Sequence, residues 1–175
     1  MNKSILKIMG VLSVVTALVG VMLFGTSQGW AQQKAGASAK QLVGTWTWVS
    51  VDNVRPDGTK VQPFGPNPKG LIIFDANGRF AYLLTRPGRP KFVANNREQG
   101  TPEENKATVQ QSLGYSGTYS VSDKTLIFKI EATTYPNAEG AEQKRTFTLT
   151  GDELKWTNLA PTVGGTAHTV LKRVK

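Results

Sequence analysis

The chain reads as all-β: an eight-stranded up-and-down antiparallel barrel with one short mid-chain helix. Three observations predict it. Eight runs, at about 42–51, 69–75, 78–86, 115–122, 124–133, 143–150, 153–159 and 166–174, carry β-branched and aromatic residues with period-two alternation. Asp75-Ala76-Asn77-Gly78, Ser122-Asp123 and Thr150-Gly151-Asp152 separate several of them with residues that tolerate tight or left-handed turns. Runs joined in this way favour a meander of sequential hairpins. Eight strands with one apolar face either close on themselves or stack as two sheets. Closure removes the exposed edges, so a barrel is the first reading and a sandwich the second.

The N-terminal segment stands outside this pattern. Lys3 and Lys7 precede an apolar stretch from Ile8 to Phe24, and Gly29-Trp30-Ala31 places small residues at the two positions a signal peptidase inspects. Residues 1–31 are expected to be a signal peptide cleaved after Ala31, and the protein to be exported, periplasmic or secreted. An uncleaved anchor is the alternative, because the stretch approaches the shortest spans of a roughly 30 Å hydrocarbon core. No Cys follows the stretch to carry a lipid, and with no Cys at all in the chain the fold holds without disulfides. Residues 32–40, rich in Ala, Gly, Ser, Gln and Lys, have no apolar period and read as a flexible lead-in. Residues 41–175 then make one domain, since the roughly 144 residues left after cleavage are too few for two ordinary cores.

Two long connections and a helix interrupt the strands. Residues 53–68 hold Arg55-Pro56-Asp57-Gly58 and Pro63-Phe64-Gly65-Pro66-Asn67-Pro68, and residues 86–101 lead to the helix. Loops of this length in a small domain are either lids or tolerated excursions. Phe64 is a candidate plug for the barrel mouth, or else packs on a neighbouring strand. Thr101-Pro102-Glu103-Glu104 is a capping box with Pro at the first helical position, and Gly114 is a natural stop. With only Ala107, Val109 and Leu113 apolar, this helix of about a dozen residues is expected over the barrel's end or flank.

Composition excludes more than it assigns. The formal charge of +9 becomes +7 once Lys3 and Lys7 leave with the signal, and the remaining basic residues are scattered, as on a solvated surface. The one local cluster, Arg86-Pro87-Gly88-Arg89-Pro90-Lys91, suits an anionic envelope surface better than nucleic acid. With one His and no Cys, a cysteine nucleophile or multi-histidine metal site is out of reach, and no metal or cofactor is expected. Gly114-Tyr115-Ser116-Gly117 falls one residue short of a nucleophile elbow and follows a helix where the elbow needs a strand. All five Asp are placed in or beside turns, serving the backbone.

What could line a cavity follows from alternation. If Trp46 faces inward, Trp48 and Ser50 follow it, while Thr45, Thr47 and Val49 face out. Phe128, Ile130, Phe147, Leu149, Leu154 and Trp156 occupy the apolar phases of later strands, as core or as ligand wall. Arg145 shares its face with Phe147 and Leu149 and therefore needs a partner: Glu131 on the neighbouring strand, a ligand carboxylate, or an escape to the rim. Tyr82, Tyr115, Tyr119 and Tyr135 offer an apolar ring with a polar tip, Tyr119 first among them. His168 shares a face with Val170 and Lys172, as a structural side chain or a pH switch.

Leu42-Val43-Gly44-Thr45-Trp46, Pro63-Phe64-Gly65-Pro66-Asn67-Pro68-Lys69-Gly70-Leu71, Arg86-Pro87, Thr101-Pro102-Glu103-Glu104, Gly117-Thr118-Tyr119 and Arg145-Thr146-Phe147-Thr148-Leu149 together resemble the bacterial and fungal lipocalin-like domain family. The resemblance implies a calycin-type barrel and no shared activity. It also implies that Gly44 and Trp46 seal a closed end, with Arg173 or Lys172 of the last strand against the tryptophan. The expectation for function is an exported barrel that binds or sequesters a small apolar or amphipathic molecule, as a monomer. Trp48, Phe64, Tyr82, Arg86, Tyr119, Glu131, Arg145, Trp156 and His168 are the candidate ligand residues. Two alternatives stay open: a cofactor-independent isomerase or cyclase using Glu131, Tyr119, Arg145 and His168, and a ligand-free envelope interaction module.

Overall fold

Each of the eight runs forms a strand, and pairing of the first with the last closes them into a ring. The computed structural model describes residues 35–175, with side chains from Ala39 onward; the signal segment and its cleavage point lie outside the described residues. The elements are α1 (Ala35–Leu42), β1 (Gly44–Val54), β2 (Lys60–Val61), β3 (Lys69–Phe74), β4 (Arg79–Thr85), α2 (Pro102–Gln110), β5 (Ser112–Ser122), β6 (Thr125–Thr133), β7 (Glu142–Thr150), β8 (Glu153–Asn158) and β9 (Thr166–Arg173). All pairings are antiparallel, in the order β1-β3-β4-β5-β6-β7-β8-β9, and β9 returns to β1 through Trp46↔Arg173 to Val54↔Thr166. The two-residue β2 only extends the edge of β1 at Asn53 and Val54.

The alternation that predicts these strands also fills the barrel. Inward positions on β4 (Phe80, Tyr82, Leu84), β6 (Leu126, Phe128, Ile130) and β8 (Leu154, Trp156) are buried, and the residues between them are exposed or half-buried. Phe80 meets Phe128 edge to face at 4.6 Å and Phe74 meets Tyr119 at 4.8 Å, contacts worth about 0.5–1.5 kcal/mol each beyond area burial. Two β-bulges break the period. One lies opposite Ser116 and Gly117 of β5, where Glu131 of β6 is the extra residue and a Cβ on Gly117 would run into the Lys129 carbonyl. The other lies between Trp48 and Ser50 on β1. It reverses the expected inward turn of Ser50: Val51 and Asn53 face the interior instead.

Three further expectations are corrected. Where the sequence reads as a flexible lead-in up to Lys40, the chain is helical from Ala35, and Ala39 and Leu42 pack on the core. The mid-chain helix has its capping box, with Thr101 Oγ1 accepting from the Glu104 N–H and Glu104 accepting from the Thr101 N–H. It is shorter than expected, however, ending at the Gln111 cap, and Gly114 lies in β5, not at a helix stop. Asp52 lies within β1, away from any turn, and pairs with Lys60 at 3.1 Å. Asp75 shows the turn role: its Oδ1 accepts from the backbone of Asn77 and Arg79.

The connections differ sharply between the two ends. The β3–β4, β5–β6 and β7–β8 turns span two to four residues at one end, where α1 also sits. The other end carries the 55–68 loop, the 86–111 connection with α2, the 134–141 segment and the 159–165 loop.

Candidate functional site

Arg173 crosses the short-turn end and seals it. Its guanidinium lies 4.1 Å from the Trp46 ring, donating from Nη1 to Val43 O at 2.8 Å and from Nη2 to Gln41 O at 2.6 Å. Trp46 donates in turn from Nε1 to Leu42 O at 2.8 Å, so α1 is tied down from both sides. Gly44 makes this possible: its φ is +127°, and a Cβ there would stand 2.9 Å from Arg173 Nη1. Of the two basic residues expected against Trp46, the inward parity of the last strand delivers Arg173 and leaves Lys172 exposed.

The long-loop end opens onto a cavity of about 80 Å3. Trp48, Tyr82, Trp156 and Arg145 form its inner wall, and Phe64 with Pro161 and Val163 forms its lip. The aromatic rings brace one another: Trp48 meets Tyr82 at 5.4 Å and Trp156 at 5.9 Å, and Trp48 Nε1 is satisfied by Leu83 O at 2.9 Å. This volume holds a few waters and is well below the roughly 300 Å3 of a formed ligand pocket. A larger guest therefore requires the half-buried Phe64 and the 159–165 loop to give way.

Arg145 is only 5 % exposed. It does not reach the rim, and it has no carboxylate. Its guanidinium lies against Phe128 at 4.5 Å and Trp156 at 5.2 Å, and Nη2 donates to Gln143 Oε1 at 2.7 Å. Nε and Nη1 have no acceptor. Among the described residues, the buried side-chain atoms without a partner are these two nitrogens, the Tyr115 hydroxyl and Asn53 Oδ1, and all of them belong to residues lining this one cavity. Burial presses Arg145 below its ordinary pKa, against the opposing pull of the Tyr82 and Tyr115 phenols. Burial likewise pushes both phenols up.

The structure gathers Trp48, Phe64, Tyr82, Arg145 and Trp156 and scatters the other candidates. Glu131 is exposed as the extra residue of the β6 bulge and pairs with Arg79 at 2.8 Å. His168 is exposed on the outer face of β9, 3.2 Å from Thr157 Oγ1. Tyr119 faces inward but near the sealed end, and its hydroxyl donates to Asp75 O at 2.9 Å. Arg86 is exposed beside Gly65, with its backbone N–H given to Gln111 O. Proton-transfer chemistry by Glu131, Tyr119, Arg145 and His168 has no assembled site. No group of three or more His, Cys, Asp and Glu is gathered among the described residues.

Asn53, Gln143 and Thr169 are cavity residues that the sequence reading misses. Gln143 is two residues from Arg145 and shares its phase, so parity alone would find it. Asn53 is hidden by the β1 bulge.

An eight-stranded meander sealed at one end by Gly44, Trp46 and Arg173 and open at the other defines the class: the chain belongs to the lipocalin-like domain family, whose model matches residues 43–171. Among curated proteins it is similar to the 4'-hydroxy-3'-methoxypropiophenone carrier protein of Aspergillus oryzae, 31% identical in an alignment of 88 residues that covers 46% of this chain and 79% of that one. Among solved structures it is similar to a lipocalin-like protein from Bacteroides uniformis, with a TM-score of 0.40 and 13% identity over 76% of this chain and 98% of the other.

Proposed function

We propose that the open end of the barrel takes up a small aromatic or amphipathic molecule, to carry or sequester it outside the cytoplasm. The observation that carries this reading is the concentration of unpaired buried polar atoms, on Arg145, Tyr115 and Asn53, in one aromatic-walled cavity. Buried polar groups are ordinarily satisfied, and those left open are the groups a guest would meet. The carrier named among its relatives supports the reading. The export half rests on Lys3, Lys7, the apolar stretch and Ala31. The small cavity favours a second reading, a filled barrel that acts through its outer surface.

Native mass spectrometry of the protein purified from the envelope of an exporting host tests both halves. The expected species starts at Gln32 and carries a discrete small molecule. An intact N-terminus sinks the cleavage, and recovery in the cytoplasm sinks the export. Bare protein whose tryptophan fluorescence also ignores neutral aryl ketones shifts the reading to the filled barrel.

A further inference from the structure

Resting on that binding reading, the geometry points to a small aromatic carboxylate as the guest, held by Arg145. Three observations select a negative charge over a merely polar group. First, Arg145 is a permanent cation, since a guanidinium does not lose its proton at neutral pH even when burial disfavours it. Second, among the described residues no Asp or Glu lines the cavity, and Glu131, the partner expected from the sequence, is already paired with Arg79 on the outer face. Third, the cation's compensation is incomplete: two ring faces, one amide oxygen and the neighbouring Tyr82 phenol offset part of the burial cost, while Nε and Nη1 remain open.

A neutral carbonyl would satisfy a donor but leave the charge uncompensated, whereas a carboxylate supplies the charge together with more than one acceptor oxygen. The Tyr115 hydroxyl, also unpaired and on the same cavity, is a further donor to that group. The rest of the guest is set by the walls: Trp48, Tyr82 and Trp156 meet edge to face and offer ring surfaces, which suit a flat conjugated body. Phe64 at the lip would close over its far side.

Cinnamate and cinnamamide differ in charge and scarcely in shape, so the pair isolates the claim. Titrated at neutral pH into the purified protein and followed by calorimetry and tryptophan fluorescence, cinnamate is expected to bind at least about tenfold more tightly than cinnamamide. In Arg145→Met the preference should shrink to about twofold or less, through a larger loss for cinnamate than for cinnamamide. Arg145→Lys, which keeps the charge without the fork, should retain part of it and decides the matter if the Met variant does not fold. Equal binding of the two compounds to the parent protein overturns the carboxylate assignment and leaves the binding reading standing. Silence from both, and from 4'-hydroxy-3'-methoxypropiophenone, overturns the two together.

Discussion

Each end of this barrel sets an arginine on a tryptophan, and the two pairs have opposite states of completion. At the sealed end Arg173 covers Trp46, gives two hydrogen bonds to backbone carbonyls of the α1 exit and lies 3.7 Å from Asp152. At the open end Arg145 is more deeply buried, touches Trp156 and Phe128, and has a single acceptor. The same chemical pair thus does two kinds of work. Where every group is satisfied, the contact holds the fold; where groups are left open under an aromatic wall, the contact contributes least to stability and is free to serve a guest. The loops agree with the division, since tight turns close the first end and long connections surround the second.

The comparison breaks or sharpens under substitution. Trp46→Ala should have the largest effect: it empties a fully buried position and removes the ring beneath Arg173 and the donor to Leu42 O. A loss of about 3–5 kcal/mol is expected in urea unfolding, and a loss no larger than that of an exposed substitution would mean that α1 and Trp46 do not seal the barrel. Next come the arginines themselves. Arg173→Met should cost about 2–3 kcal/mol, through the lost cation–ring contact and the two carbonyls left without a donor. Arg145→Met should lie within about 1 kcal/mol of the parent or be more stable, because it removes an incompletely paired buried charge and leaves an apolar chain of similar length. Equal destabilisation by the two would make Arg145 a structural element and erase the contrast.

The sealed end was far more legible than the open one, for a physical reason. Sealing depends on Gly44, Trp46 and a basic residue of the last strand, which the family resemblance implies as Arg173 or Lys172, and the inward parity of that strand in the structure selects Arg173. The strands were legible because a half-buried strand shows its period in its residues. Parity also explains one misplacement: Thr169 and Leu171 inward put His168 outward. Glu131 is misplaced by the β6 bulge, whose extra residue it is. Tyr119 is a different failure: its phase is inward, but alternation carries no information on depth, and the ring sits beside Phe74 at the sealed end. Asn53 was beyond reach, because the single extra residue at Val49 reverses the phase of the rest of β1 without a Gly or Pro to mark it.

The smallest predicted effect separates the ends by pH. Glu104 holds the open-end connection together: its Oε2 accepts from the Thr101 N–H at 2.9 Å and its Oε1 from the Val93 N–H at 2.8 Å, across the loop. These two bonds favour the charged form and hold the carboxyl below its ordinary value. A carboxyl depressed in the folded state stabilises above its unfolded pKa, and that stabilisation fades as pH falls through the lower folded value. Acidification should therefore loosen residues 93–110 locally while the Arg173 end stays shut. In a two-dimensional amide titration, the Val93 and Thr101 signals should move together with a midpoint below the ordinary glutamate range, and Glu104→Gln should remove that step. Simultaneous movement of the Val43 and Gly44 amides in the parent would show that the two ends respond as one unit, and the division between a finished end and an open one would fail.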